Sequence, residues 1–84
     1  MYFYVYMILT KINEKNVSYV GYTKNLKKRL SLHNSSKGAK FTKGKKWKMI
    51  YSKRFSSKSI AMKEEYLLKK DFKKRNIIKA KYIR

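Results

Sequence analysis

The sequence predicts a small α+β unit, a three-stranded antiparallel β-sheet flanked by helices, in the order β-β-α-β-α with a short α-helix at the end. Three observations lead there. The opening run Met1 to Leu9 is almost continuously apolar and rich in aromatic and β-branched residues, as a strand buried on both faces is. A second such run follows after a four-residue polar gap, too short for a parallel crossover. Two later segments then show helical spacing of their apolar residues. With 84 residues the chain has room for one domain, residues 1–84, which buries about 60–65% of its unfolded surface.

The elements follow in order. Asn13-Glu14-Lys15-Asn16 is a polar turn, and Val17 to Tyr22 forms the second strand of a hairpin. Gly21 inside that strand marks a bend or a close backbone approach. Thr23 or Asn25 can cap a helix beginning near Leu26. On that helix Leu26 and Leu30 make an inward pair, and Arg29 and His33 make a second i, i+4 pair on the adjoining strip. The helix ends in Asn34-Ser35-Ser36-Lys37-Gly38, and Lys43-Gly44-Lys45-Lys46 is a basic loop. Trp47 to Phe55 alternates imperfectly and reads as the third strand, with Trp47, Met49 and Tyr51 on one face and Lys48 and Ser52 on the other. The longest helix runs from about Ser57 to Asp71 on an inward stripe of Ala61, Leu68 and Phe72. Glu65 falls on the line of that stripe and Glu64 lies among Ile60, Leu67 and Leu68, so periodicity does not choose between the two carboxylates. The tail from Lys73 to Arg84 carries Ile77, Ile78 and Tyr82 and forms the last helix.

Composition limits the chemistry. Lys and Arg number 24 against 4 Asp and Glu, a formal charge of +20. Such a field attracts phosphate polyanions. A lysine-prone coding bias accounts for part of the excess, yet Glu is nearly absent, so the field is expected to be functional. The chain has no cysteine, hence no disulfide framework, thiolate zinc site or thiol nucleophile. The 43% hydrophobic content, with 8 Tyr, 4 Phe and 1 Trp, is enough for a core and argues against disorder. Nine apolar residues at the start cannot cross roughly 30 Å of hydrocarbon as a helix. They also lack a basic flank and a small-residue cleavage site, so a cytoplasmic location is expected.

Against this background a few side chains stand out: paired tyrosines on the first two strands, Arg29, His33 and a carboxylate on the long helix. Only 4 of the 24 basic residues are Arg. An Arg on a helix face in so lysine-rich a chain points to bidentate phosphate recognition. A Glu at the edge of an apolar stripe needs a partner, a cation or a proton.

Taken together these residues resemble a known family. Tyr4-Val5-Tyr6, followed by Tyr19-Val20-Gly21, resembles the two-part signature of the GIY-YIG nucleases. Lys24 to Leu30 is similar to the helix that carries that family's essential Arg, here Arg29, with His33 at a position where members place His or Tyr. His33-Asn34 with Lys37 to Thr42 resembles the small stand-alone, UvrC-type bacterial branch. Ala61-Met62-Lys63-Glu64-Glu65 with Leu68-Lys69 resembles its metal-binding helix and puts the metal Glu on Glu65. Five blocks in order cover Tyr4 to about Lys70. The sequence departs from the pattern at Tyr4, where the motif has Gly, and at Tyr22, where some members have a Lys that lowers a tyrosine pKa. Asn76 matches only loosely the Asn that several members carry beyond the metal Glu.

The resemblance implies a metal-dependent endonuclease that hydrolyses phosphodiester bonds in DNA, with RNA a second candidate, with little sequence specificity and a role in DNA repair or recombination. It implies one Mg²⁺ or Mn²⁺ on Glu65, with Arg29 on non-bridging phosphate oxygens and His33 as an auxiliary. Tyr6 or Tyr19 is the water-activating base and the other tyrosine orients it. A phenol near pKa 10 is a poor base at pH 7, and the expectation is that nearby cations favour the phenolate. Lys24, Lys40, Lys43, Lys45, Lys46 and Lys69 are expected to neutralise flanking phosphates without reading sequence. A monomer served by a targeting protein partner is expected. The competing reading is a non-catalytic basic nucleic-acid-binding module that keeps the fold. A coat for anionic membrane is disfavoured, because no helix is strongly amphipathic and exposed.

Overall fold

Asn13 and Glu14 take positive φ, 49° and 70°. They form a two-residue turn that closes directly on the Ile12–Lys15 pair. A turn with both central residues left-handed matches the twist of its flanking strands. The hairpin is therefore tighter and its strands longer than the sequence suggested: β1 is Phe3–Ile12 and β2 is Lys15–Thr23. The computed structural model describes residues 1–83. The remaining elements are α1 (Leu26–Asn34), a 3₁₀ turn (Lys40–Thr42), β3 (Lys48–Phe55), α2 (Lys58–Lys70) and α3 (Phe72–Ile83). Arg84, assigned to the last helix from sequence, lies outside the described residues.

The three strands form one antiparallel sheet in the order β2-β1-β3. As the central strand, β1 is covered on both faces, which explains its continuous apolar run. Val5 and Met7 face one way and pack with Val20, Ala61 and Leu68, joined by Ile78. Tyr6 and Ile8 face the other way and pack with Trp47, Tyr19, Leu26 and Leu30. Thus α2 and α3 cover one face of the sheet, while α1 and the loop after it cover the other.

Two sequence expectations are corrected. Tyr51 does not share a face with Trp47 and Met49. The register with β1 shifts between Met7, paired with Tyr51, and Ile8, paired with Met49. The extra residue, Ile50, is a β-bulge that reverses side-chain parity. Tyr51 and Ile50 therefore join the α2 face, and Trp47 and Met49 the α1 face. Phe72 does not continue the inward stripe of α2 and is 65% exposed. The helix breaks at Asp71, whose φ and ψ of −90° and 82° are not helical, so the four-residue step from Leu68 no longer returns to the same side. The Asp71 carboxylate accepts from Lys74 N at 2.9 Å and starts α3 as its cap.

The helix starts follow the sequence more closely. Asn25, not Thr23, caps α1, its side chain accepting from Lys28 N at 3.0 Å. Thr23 takes a supporting place, its hydroxyl accepting from Asn25 N. Ser57 caps α2. The 3₁₀ turn has no counterpart in the sequence reading.

Candidate active site

Tyr6 stands mid-strand on β1, points to the α1 face and has 0% exposure. Its neighbour across the ladder on β2 is Gly21. A Cβ on Gly21 would lie 2.5 Å from the Tyr6 hydroxyl oxygen and 2.7 Å from its ring. The close approach expected at Gly21 is therefore real and is made by the phenol crossing the adjacent strand.

The cap at Asn25 sets the phase of α1, and that phase brings Arg29 and His33 over the same phenol. Arg29 Nε donates to Tyr6 Oη at 3.3 Å. His33 Nε2 lies 2.7 Å from the same oxygen. Arg29 is half-buried, and no hydrogen bond takes either of its Nη atoms among the described residues. Tyr19, also half-buried, makes a T-shaped contact with His33, with ring centroids 5.2 Å apart and planes at 62°. Phe41 stacks beside Tyr19 at 6.2 Å and 19°. The structure thus gathers Tyr6, Tyr19, Arg29 and His33, four of the residues picked out in the sequence.

Two participants were missed. Thr42, in the 3₁₀ turn, has 0% exposure, and its hydroxyl lies 2.8 Å from His33 Nδ1. That hydroxyl also donates to Ala39 O at 2.8 Å. Gly38 packs flat against the imidazole, where a Cβ would overlap the ring. The loop that carries them is tied down. The Asn34 amide bonds both backbone groups of Trp47, at 3.1 and 2.5 Å, and the Trp47 indole donates to Thr42 O at 3.1 Å. Thr42 served in the sequence only as part of a point of resemblance. A lone Thr outside any periodic segment gives no sign that it is buried.

Burial, the largest influence, holds the Tyr6 phenol above its ordinary pKa of 10.0. The hydrogen bond and charge of Arg29 oppose this, while Tyr19 and Glu65 add to it. The expectation that surrounding cations favour the phenolate is thus corrected for Tyr6, because desolvation outweighs the one cation that touches it. Burial also lowers the His33 pKa from 6.5, and the Arg29 charge lowers it further. At pH 7 His33 is therefore a neutral imidazole able to accept a proton.

Glu65 lies on α2, on the other face of the sheet, and its side chain is 20% exposed. Its charge nonetheless bears on Tyr6. Glu64 turns instead into a groove with Val5, Tyr51 and Phe55. The structure separates the two carboxylates that periodicity left equal. Among the described residues no group of three or more His, Cys, Asp or Glu gathers as a metal cage. A single accessible carboxylate still fits Mg²⁺, which commonly binds one or two carboxylates and completes its shell with water and substrate phosphate.

The lysines divide. Lys69 Nζ lies 3.7 Å from Glu65, so any metal or phosphate must compete with that pair. Lys45 folds back onto the carbonyls of Phe41 and Lys43. Lys24 lies over the Phe3 ring with its ammonium 5.7 Å from the centroid. Lys40, Lys43 and Lys46 are exposed along the loop that carries Thr42. Tyr22, the departure noted in the sequence, packs on the α2 face, opposite Tyr6.

A family model described as the GIY-YIG catalytic domain matches residues 2–79. The chain belongs to the GIY-YIG family. GIY-YIG nucleases act on DNA and generally use divalent metal ions. Similar proteins include UPF0213 protein OB0043 of Oceanobacillus iheyensis, 42% identical over 76% of this chain and 74% of the relative. Another is UPF0213 protein SH2523 of Staphylococcus haemolyticus, 45% identical over 79% of this chain and 78% of the relative. The solution NMR structure of the UPF0213 protein BH0048 from Bacillus halodurans aligns with 98% of this chain and 85% of its own, at a TM-score of 0.50 and 32% identity. The resemblance read from the five sequence blocks, and the GIY-YIG-like α+β fold it implied, are borne out.

Proposed function

We propose that residues 1–84 form one nuclease domain that hydrolyses phosphodiester bonds in DNA with little sequence specificity, using one Mg²⁺ or Mn²⁺ on Glu65. The observation that supports this most is the chain from Arg29 Nε to Tyr6 Oη to His33 Nε2, at 3.3 and 2.7 Å, with both Nη atoms of Arg29 free of hydrogen bonds among the described residues. A basic module that only binds backbone has no use for a buried tyrosine joined to a neutral histidine.

In this reading the Arg29 Nη fork binds two non-bridging phosphate oxygens, a task suited to a planar guanidinium. As the phosphate draws Arg29 outward, Tyr6 Oη is uncovered for the attacking water. Water gives its proton to Tyr6 Oη while Tyr6 passes its own to His33 Nε2, so no free phenolate forms. The new bond joins the water oxygen to phosphorus, and the bond from phosphorus to the leaving oxygen breaks. Tyr19 holds the imidazole in place through their T-shaped contact. A divalent ion on Glu65, when bound, supplies Lewis-acid stabilisation of the charge that develops on the phosphate and leaving oxygen. Lys24, Lys40, Lys43 and Lys46 neutralise neighbouring phosphates, with Lys45 and Lys69 joining once their internal partners are displaced. A cytoplasmic monomer directed to repair or recombination substrates by a partner protein completes the proposal.

The test is to incubate the pure protein with labelled DNA and RNA of defined structure in Mg²⁺, Mn²⁺ or EDTA. Metal-dependent cleavage of DNA is expected, and Glu65→Gln abolishes it while DNA binding stays equal or becomes tighter. A folded protein that binds but cuts nothing in either metal turns the assignment to the binding module. Cleavage that survives Glu65→Gln removes the metal from Glu65.

A further inference from the structure

Two ends of one buried hydrogen-bond chain agree on its direction. At the first end, a guanidinium only donates, so Tyr6 Oη accepts from Arg29 Nε. The Tyr6 proton must then go elsewhere, and the acceptor within reach is His33 Nε2 at 2.7 Å. At the far end, the Thr42 hydroxyl donates to Ala39 O at 2.8 Å, a carbonyl that also accepts from Thr42 N at 3.0 Å. With the Thr42 proton so placed, His33 Nδ1, 2.8 Å from that hydroxyl, is its donor. Both constraints require His33 to carry its proton on Nδ1 and to present a bare Nε2 to Tyr6. The opposite tautomer turns the Thr42 proton away from Ala39 O and sets a second donor beside Arg29 Nε on Tyr6 Oη, which leaves the Tyr6 proton without its acceptor. All three members of the chain, Tyr6, His33 and Thr42, have 0% exposure. No water competes to repair a wrong proton position, and a buried donor left without an acceptor keeps its full desolvation penalty.

We infer that Thr42 is a positioning residue for the hydrolysis proposed above: by holding the His33 proton on Nδ1, it makes Nε2 the acceptor through which Tyr6 works as a base. Thr42 touches neither phosphate nor water and acts through His33 alone. Gly38 serves the same arrangement by leaving room for the imidazole plane, and Trp47 by tying the Thr42 carbonyl to its indole. The nuclease reading supplies the purpose, while the proton position stands on the hydrogen bonds themselves.

The chain contains one histidine, so a long-range ¹H–¹⁵N correlation spectrum of the ¹⁵N-labelled protein at pH 7.5 reports His33 without overlap. The expected result is a protonated Nδ1 and an unprotonated Nε2. In Thr42→Val the hydroxyl is lost and the Nδ1 proton has no acceptor. The spectrum is then expected to shift to the Nε2-protonated form, with kcat falling at least about 100-fold and DNA affinity unchanged. Thr42→Ser keeps the hydroxyl and restores both the tautomer and most of the rate. A wild-type spectrum with Nε2 protonated overturns the inference, even if Thr42→Val does not fold. So does a folded Thr42→Val that keeps full kcat. A wild-type protein that cleaves no substrate removes the nuclease reading and the catalytic purpose of Thr42, while the wild-type spectrum still decides where the proton sits.

Discussion

Tyr6 on the central strand and His33 on the first helix, 27 positions apart in sequence, meet through a 2.7 Å hydrogen bond with no solvent access to either side chain. His33→Ala opens a cavity, leaves the Tyr6 proton without its acceptor and removes the donor that faces the Thr42 hydroxyl oxygen. The expected loss of stability is about 2–4 kcal/mol, read as a lower denaturant midpoint with an unchanged slope. Cleavage should fall by at least about 100-fold under conditions where the variant is still folded.

Burial moves the tyrosine and the histidine in opposite directions. The His33 pKa is depressed below 6.5 by burial and by Arg29, and the Tyr6 pKa is raised above 10.0 by burial. If cleavage needs neutral His33, kcat/KM rises with pH along a limb whose midpoint lies below 6.5, and no falling limb from Tyr6 appears below pH 10. The same shift affects stability. In the unfolded chain His33 takes up its proton near 6.5, before the folded protein does. Its contribution is therefore present above 6.5 and is lost as pH falls through the lower folded value. Denaturant melts across this range should show that direction in wild type, and a flatter dependence in His33→Ala.

Gly21→Ala tests how closely the phenol packs. The added Cβ would stand 2.5 Å from Tyr6 Oη, so either the strand or the tyrosine must move. The expected cost is about 1–3 kcal/mol in stability, with a disproportionate loss of cleavage because the Tyr6–His33 distance changes. Gly44, with a φ of 72° and nothing within reach of a Cβ, is the contrast. Gly44→Ala should cost about 1 kcal/mol through backbone strain alone and leave the rate per folded molecule intact.

Glu14 adopts φ of 70° in the hairpin turn, where a residue with a Cβ is strained. Glu14→Gly produces the Asn-Gly pair that such turns favour. It should stabilise the protein by about 0.5–1 kcal/mol and leave cleavage unchanged, as measured by thermal melting alongside the nuclease assay.

Much of this site was legible in the sequence, for physical reasons that differ from residue to residue. The apolar run of β1 declared its own burial, and the short polar gap fixed the hairpin. Arg29 and His33 were legible as a pair because helix periodicity places residues four apart on one strip. Gly21 was legible because a glycine within a strand pattern needs a reason. What stayed hidden depended on distances no local pattern carries. Thr42 is buried because Asn34 and Trp47 anchor its loop across the sheet face. The reversal of Tyr51 follows from a bulge at Ile50 that changes parity without any Gly or Pro to mark it. The balance at Tyr6 between desolvation and Arg29 depends on burial, and net charge alone pointed the wrong way.

The most direct test is single-turnover cleavage of a labelled DNA by wild type and Tyr6→Phe at pH 7.5 with saturating protein and Mg²⁺. Tyr6→Phe keeps the ring that packs beside Ile8 and removes only the oxygen that joins Arg29 to His33. The account predicts cleavage by wild type, a fall of at least about 100-fold in Tyr6→Phe and equal DNA affinity for the two proteins. Cleavage by Tyr6→Phe at the wild-type rate would contradict it.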